Sequence, residues 1–198
     1  MNPHLGQTPS QTVGPYFAYG LVPTQYGYAF ESLFDECIAG PNAAGQPIRL
    51  SGQVLDGAGE PISDALIEAI QCDAEGRFPS DPAELRQGGF RGFGRSGTGT
   101  RPDHRFAFQT IKPGTTAEGG APHLALIVMM RGLLSHAYTR VYFEDEPAAN
   151  ATDPVLAQVP AARRHTLMAR REPQPDGSLA YRFDIHLQGS EETVFFDV

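Results

Sequence analysis

Few side chains here have the types and spacing needed for chemistry. The run GGFRGFGRSGTGTR, residues 88–101, is glycine-rich enough to suggest a phosphate cradle. It does not lead from a strand into a helix and lacks the Lys-Ser/Thr ending of nucleotide loops, so it reads as a long, flexible, basic loop. Its Arg-Phe interleaving is too short, in too acidic a chain, for RNA contacts. His104 and His136 have no acidic or histidine partner at a metal-ligand spacing and read as ordinary polar residues. Cys37 and Cys72 are the only cysteines and form no framework, which predicts two reduced, buried thiols in a cytosolic protein. Arg163, Arg164 and His165 follow a candidate helix and suit its negative C-terminal end.

The bulk numbers narrow the partners. The chain has 198 residues and 40% hydrophobic residues, enough for one domain with a sizeable core and a short arm. A formal net charge of −8 argues against nucleic acid and against anionic membrane. A small anionic substrate stays compatible, because one or two arginines can make a local positive pocket. The segment MNPHLGQTPSQTVGPYF has neither a basic nor an apolar leader region, so a cytoplasmic location without a signal peptide is expected. The longest apolar run, residues 124–130, is far too short to span a bilayer.

The elements that must position any site are mostly short strands. Residues 1–27 read as an extended arm, 28–38 (YAFESLFDECI) as a short helix, and PNAAGQP as a linker, giving an interface-forming arm and linker over 1–47. Strands are expected over 48–55, 65–72, 105–110, 138–143, 166–170, 179–187 and 193–198. The run 124–130 lacks alternation and suits a strand buried on both faces. Asp153 and Pro154 open a helix over 153–162 as N-cap and first residue. DGAGEP and DGS mark tight turns. Many short strands with few helices predict a mainly β chain: a β-sandwich core with an extended N-terminal arm and short helices.

Several segments, in order, resemble the intradiol ring-cleaving dioxygenases: SQTVGPYF, GQVLDGAGEPISDALIEAIQCDAEGRF, FAFQTIKPG, APHLALIVMMRG, HAYTRVYFEDEP and AYRFDIHLQGSEETVFFD. The resemblance runs from about Thr8 to the end and implies that 48–198 form the family's sandwich. In that family two tyrosines and two histidines hold ferric iron, for which phenolate and imidazole are suitable donors. At the corresponding positions this chain has Phe78, Thr116, His123 and Ala125. A phenyl ring and a methyl offer no electron pair, a threonine hydroxyl is a poor ligand, and one imidazole cannot retain iron. The resemblance therefore implies a non-metal α chain of a two-chain enzyme, with no catalytic residue of its own and Fe(III) held by a partner β chain. It also implies that the pair inserts O₂ between the hydroxylated carbons of 3,4-dihydroxybenzoate, in the breakdown of aromatic compounds.

By the same resemblance, Thr12, Gly14, Pro15, Tyr16 and Arg131 line a pocket that another chain completes. Arginine suits this role because its fork of donors matches a carboxylate. Whether Arg131 meets the substrate, the partner or only solvent stays open, and His123 reads as a hydrogen-bonded core histidine. GQVLDGAGEPISDALIEA also resembles the sandwich modules attached to carboxypeptidases, which leaves a non-enzymatic binding or structural module as the alternative.

Overall fold

The computed structural model describes residue 6, residues 8–80 and residues 89–197. Its strands are β1 (Pro47–Leu55), β2 (Leu66–Ile70), β3 (Phe93–Gly97), β4 (Arg105–Ile111), β5 (His123–Met129), β6 (Ala137–Phe143), β7 (Met168–Glu172), β8 (Ala180–Arg182) and β9 (Ile185–His186). Among the described residues three short α-helices accompany them: α1 (Phe17–Leu21), α2 (Pro147–Thr152) and α3 (Pro154–Gln158). The strands form one mixed nine-stranded path, β3-β2-β5-β6-β7-β8-β1-β4, with β9 paired to β1. The two halves of that path are the walls of one core. Ile67, Leu124, Leu126, Val141 and Phe143 come from one wall, and Leu50, Phe106, Phe108 and Tyr181 from the other. The expected mainly β architecture with short helices is what the chain adopts.

Local details explain where the elements differ from expectation. Residues 28–38 are not a helix, because their backbone bonds go to distant strands. Ile38 N donates to Gln109 O (2.9 Å), Gln109 N to Glu36 O (2.9 Å), and Arg95 N to Asp35 O (2.8 Å). This segment closes the gap between the free edges of β3 and β4, which are otherwise open to pairing. The arm is not wholly extended either, since α1 and a 3₁₀ turn over Pro23–Tyr26 lie within it. The glycine-rich run contains β3, which pairs with β2; residues 81–88, including Gly88, lie outside the described residues.

β5 alternates instead of being buried on both faces: Leu124, Leu126 and Val128 face the core, while His123, Ala125, Ile127 and Met129 are half-buried on the other side. The expected strand at 179–187 is split into β8 and β9. Between them the Asp184 carboxylate takes Gln53 N (3.0 Å), and the backbone comes so close that a Cβ at Gly52 would lie 1.6 Å from Phe183 O. Only glycine tolerates that approach. Residues 193–197 make a single bridge, Phe196 to Tyr138, and no strand. The helix opened by Asp153 ends at Gln158, because Val159 precedes Pro160 and turns extended. Arg164 then donates to Val159 O (2.9 Å) and Ala157 O (3.3 Å), the C-terminal role expected of it. Both cysteines are free; Cys72 is buried and Cys37 only partly so.

Candidate functional site

The candidate residues fall into two groups at opposite ends of β5. His123 opens the strand and Arg131 follows it. Six steps separate His123 from Met129, about 20 Å at ~3.3 Å per residue.

At the His123 end, the loops carrying the iron-ligand positions do converge. A Cβ at Gly120 would lie 3.4 Å from Thr116 Oγ1, 3.4 Å from Asp153 Oδ2 and 3.9 Å from His123 Cε1. The turn before Phe78 packs on the Thr115–Thr116 loop, since a Cβ at Gly76 (φ 81°) would sit 2.0 Å from Thr115 O. Ala125 shares the outward face of β5 with His123.

The space they enclose is built from internal bonds. His123 Nδ1 lies 2.8 Å from Ala121 O; a carbonyl only accepts, so Nδ1 carries the proton. Burial pushes the imidazole pKa down, the Ala121 carbonyl opposes this, and the Arg140 guanidinium pushes it down further. The ring is therefore neutral and stacked, tilted, against Tyr142 (centroids 5.4 Å). Burial also raises the Tyr142 phenol to about 12, so it stays protonated. Arg140 lies directly across from Ala125 in the β5–β6 register, and its Nη1 reaches the Tyr142 hydroxyl (3.4 Å). A fixed cation thus stands beside the position where a second histidine would be.

Asp153, only 1% exposed, closes the arrangement. It accepts from Val155 N (2.9 Å), Leu156 N (2.7 Å), Ala121 N (2.8 Å) and the Tyr142 hydroxyl (3.2 Å). Phe78 is 54% exposed and offers no donor atom. Among the described residues no group of three or more His, Cys, Asp and Glu side chains could hold a metal ion. A trivalent iron does not fit this donor set.

At the other end of β5, the arm is clipped to the sandwich. Thr12 Oγ1 donates to Met130 O (3.3 Å) and accepts from Gly132 N (2.8 Å), so it straddles Arg131. Gly14 O accepts from Phe17 N (3.1 Å) at the start of α1, leaving Pro15 at the bend. Ala18 and Val22 bury against Leu66, with Met129 packed beside them. Gln25 behaves as a strand partner for the β3 edge: its amide donates to Gly97 O (2.7 Å) and accepts from Gly97 N (2.8 Å). Tyr16 is 78% exposed and begins an aromatic chain through Tyr19 (6.0 Å) to Tyr26 (4.4 Å from Tyr19). Arg131 is 59% exposed and donates from Nε to Asp64. The structure thus sets Thr12 against the backbone on either side of Arg131, with Gly14, Pro15 and Tyr16 exposed on the same arm, at the far end of β5 from His123.

Sequence reading missed Asp64, Arg140 and the wider role of Asp153. Asp64 and Arg140 show no local signal, because register alone pairs them with Arg131 and Ala125. Asp153 was legible as a helix cap and no more.

A family model described as "Dioxygenase" matches residues 14–189. The protocatechuate 3,4-dioxygenase alpha chain of Burkholderia cepacia is 58% identical over 194 residues, covering 98% of each chain. The chain belongs to the intradiol dioxygenase family. The corresponding beta chain of Burkholderia cepacia is 32% identical over 167 residues, 75% of this chain and 67% of that one. Among solved structures, the dioxygenase domain of a carbohydrate-binding fusion from Streptomyces sp. SirexAA-E shares the fold. Its TM-score is 0.62 at 23% identity, with 93% of this chain and all of that one covered. A family match across nearly the whole chain sets aside the stand-alone sandwich module. Among the described residues no helix is long and apolar enough to cross a membrane.

Proposed function

We propose that this chain is the iron-free α subunit of a protocatechuate 3,4-dioxygenase. In this reading a β chain holds Fe(III), and the complex inserts both oxygen atoms of O₂ between the hydroxylated carbons of 3,4-dihydroxybenzoate. The product is 3-carboxy-cis,cis-muconate, a step of aromatic catabolism by the β-ketoadipate route in the cytoplasm. Residues 1–47 act as the interface-forming arm and residues 48–198 as the sandwich.

The observation that carries this reading is the separation along β5. The arm and Arg131 present polar groups on an exposed face beyond Met129, which lies about 20 Å along β5 from His123. A pocket wall so placed can serve chemistry only if another molecule brings the reacting centre to it. The names of the relatives, an alpha chain and a homologous beta chain, fit that partner. Within the pocket, Arg131 offers a planar fork to the substrate carboxylate. Gly14, Pro15 and Tyr16 form a stiff, partly apolar wall that excludes water from the ring. The iron, where β holds it, supplies activation of the catechol toward O₂.

Purified alone, the chain should bind less than stoichiometric iron and turn over no substrate. Co-expressed with its β chain, it should yield an active complex. Stoichiometric iron with turnover in the lone chain would refute the proposal.

A further inference from the structure

Asp64 and Arg131 lie just beyond the ladder that joins β2 to β5. That ladder pairs Leu66 with Met129. Extending its antiparallel register by two residues on each strand sets Asp64 opposite Arg131. The side chains complete the pairing through Arg131 Nε and Asp64 Oδ2. Among the described residues, the terminal nitrogens of Arg131 donate to no protein acceptor. The backbone on either side is fixed as well, by the Thr12 hydroxyl on Met130 O and Gly132 N. Arg131 is therefore held at three points while the working end of its guanidinium is left open.

The charge of Asp64 works against an anion-binding role for Arg131, because it offsets the positive field. What it offers in return is orientation: a carboxylate bound at Nε fixes the guanidinium plane. An unheld arginine has many rotamers to lose when it meets a substrate.

We propose that Asp64 is a positioning residue for carboxylate recognition: it aims the Arg131 fork at the carboxylate of the aromatic substrate in the site completed by the β chain. This inference rests on the α-subunit reading above.

The test uses the αβ complex with Asp64→Ala, Asp64→Asn, Arg131→Ala and the Asp64→Ala/Arg131→Ala double variant. Each is assayed with 3,4-dihydroxybenzoate and with catechol, which lacks the carboxylate. Asp64→Ala should raise KM for dihydroxybenzoate about tenfold, the order expected from freezing an arginine side chain, with kcat and the KM for catechol unchanged. Asp64→Asn keeps an oxygen for Nε and should recover most of the loss. The double variant should be no worse than Arg131→Ala. A KM that stays level or falls in Asp64→Ala overturns the inference, the latter because it would make Asp64 a mere brake on the positive field. Equal rises for both substrates, or additive losses in the double variant, overturn it too. If Arg131→Ala costs affinity and Asp64→Ala does not, the inference alone fails; if Arg131→Ala leaves KM unchanged, the reading of Arg131 as a substrate contact fails with it.

Discussion

Asp153 offers the sharpest test of how the iron-ligand positions are filled. As the N-cap of a five-residue helix it would contribute about 1 kcal/mol, and replacing it with alanine would cost no more than that. The structure gives it a larger role. Its two oxygens take three backbone N–H groups and the Tyr142 hydroxyl, and the residues Ala121, Leu156 and Tyr142 are essentially fully buried. Each buried donor left without a partner costs about 1–3 kcal/mol. Asp153→Ala strands at least those of Ala121, Leu156 and Tyr142, so a loss of about 3–5 kcal/mol is expected even after partial relaxation. That is a large fraction of the ~5–15 kcal/mol that stabilises a typical domain.

Asp153→Asn separates the two roles. Its oxygen can keep the contacts now made by Oδ1, to Val155, Leu156 and Tyr142. Its amide would then turn N–H groups toward Ala121 N, which now donates to Oδ2. A loss of about 1–3 kcal/mol is expected, from one unsatisfied donor and the missing charge. Urea unfolding of the purified chain, followed by circular dichroism, gives both values from midpoint and slope. A loss near 1 kcal/mol in Asp153→Ala would show a simple helix cap and refute the argument that this carboxylate organises the loop above His123.

Two further outcomes are expected. Restoring the family's donors with Phe78→Tyr, Thr116→Tyr and Ala125→His should not by itself yield an iron site, because the Arg140 guanidinium lies across from residue 125 and repels a trivalent cation; adding Arg140→Met should allow iron uptake, read as bound iron and as a phenolate-to-iron absorption band, and uptake with Arg140 in place would refute this. Burial, reinforced by Arg140, depresses the folded His123 pKa below its unfolded value of 6.5, so its stabilising contribution is complete above that value and is lost as pH falls through the depressed one; His123→Gln, which can still donate to Ala121 O, should lose less stability than the native chain in urea melts between about pH 7 and pH 5.

The sequence disclosed the elements whose signals are local. Phe106 and Phe108 alternate with polar neighbours and mark β4, while Asp153 with Pro154 marks a helix start. The segment 28–38 misled because its apolar spacing suits a helix while its backbone groups bond to Gln109 and Arg95, far along the chain. β3 was hidden because Phe93 is its one large apolar residue; pairing with β2 and packing of Tyr26 onto Gly97 make it a strand. The same limit governed the site. The residue types at Phe78, Thr116 and Ala125 are properties of single positions, and the resemblance is enough to single them out. The partners Asp64 and Arg140 depend on strand register and could not be read.

The layout of β5 has a consequence for how substitutions should divide. Buried polar groups need partners, since left unpaired they are costly. Here Asp153, Ala121, Tyr142 and Arg140 supply them, so the His123 end of the strand is a hydrogen-bonded knot. The opposite end keeps its polar atoms outward, with Arg131 and Tyr16 exposed. On the function proposed above, one strand therefore has a stabilising end at His123 and a recognising end toward Arg131. Changes at Asp153, Tyr142 or His123 should lower the unfolding free energy while leaving the substrate KM of the assembled enzyme alone. Changes at Asp64 or Arg131, which form an exposed pair worth little to the fold, should do the reverse.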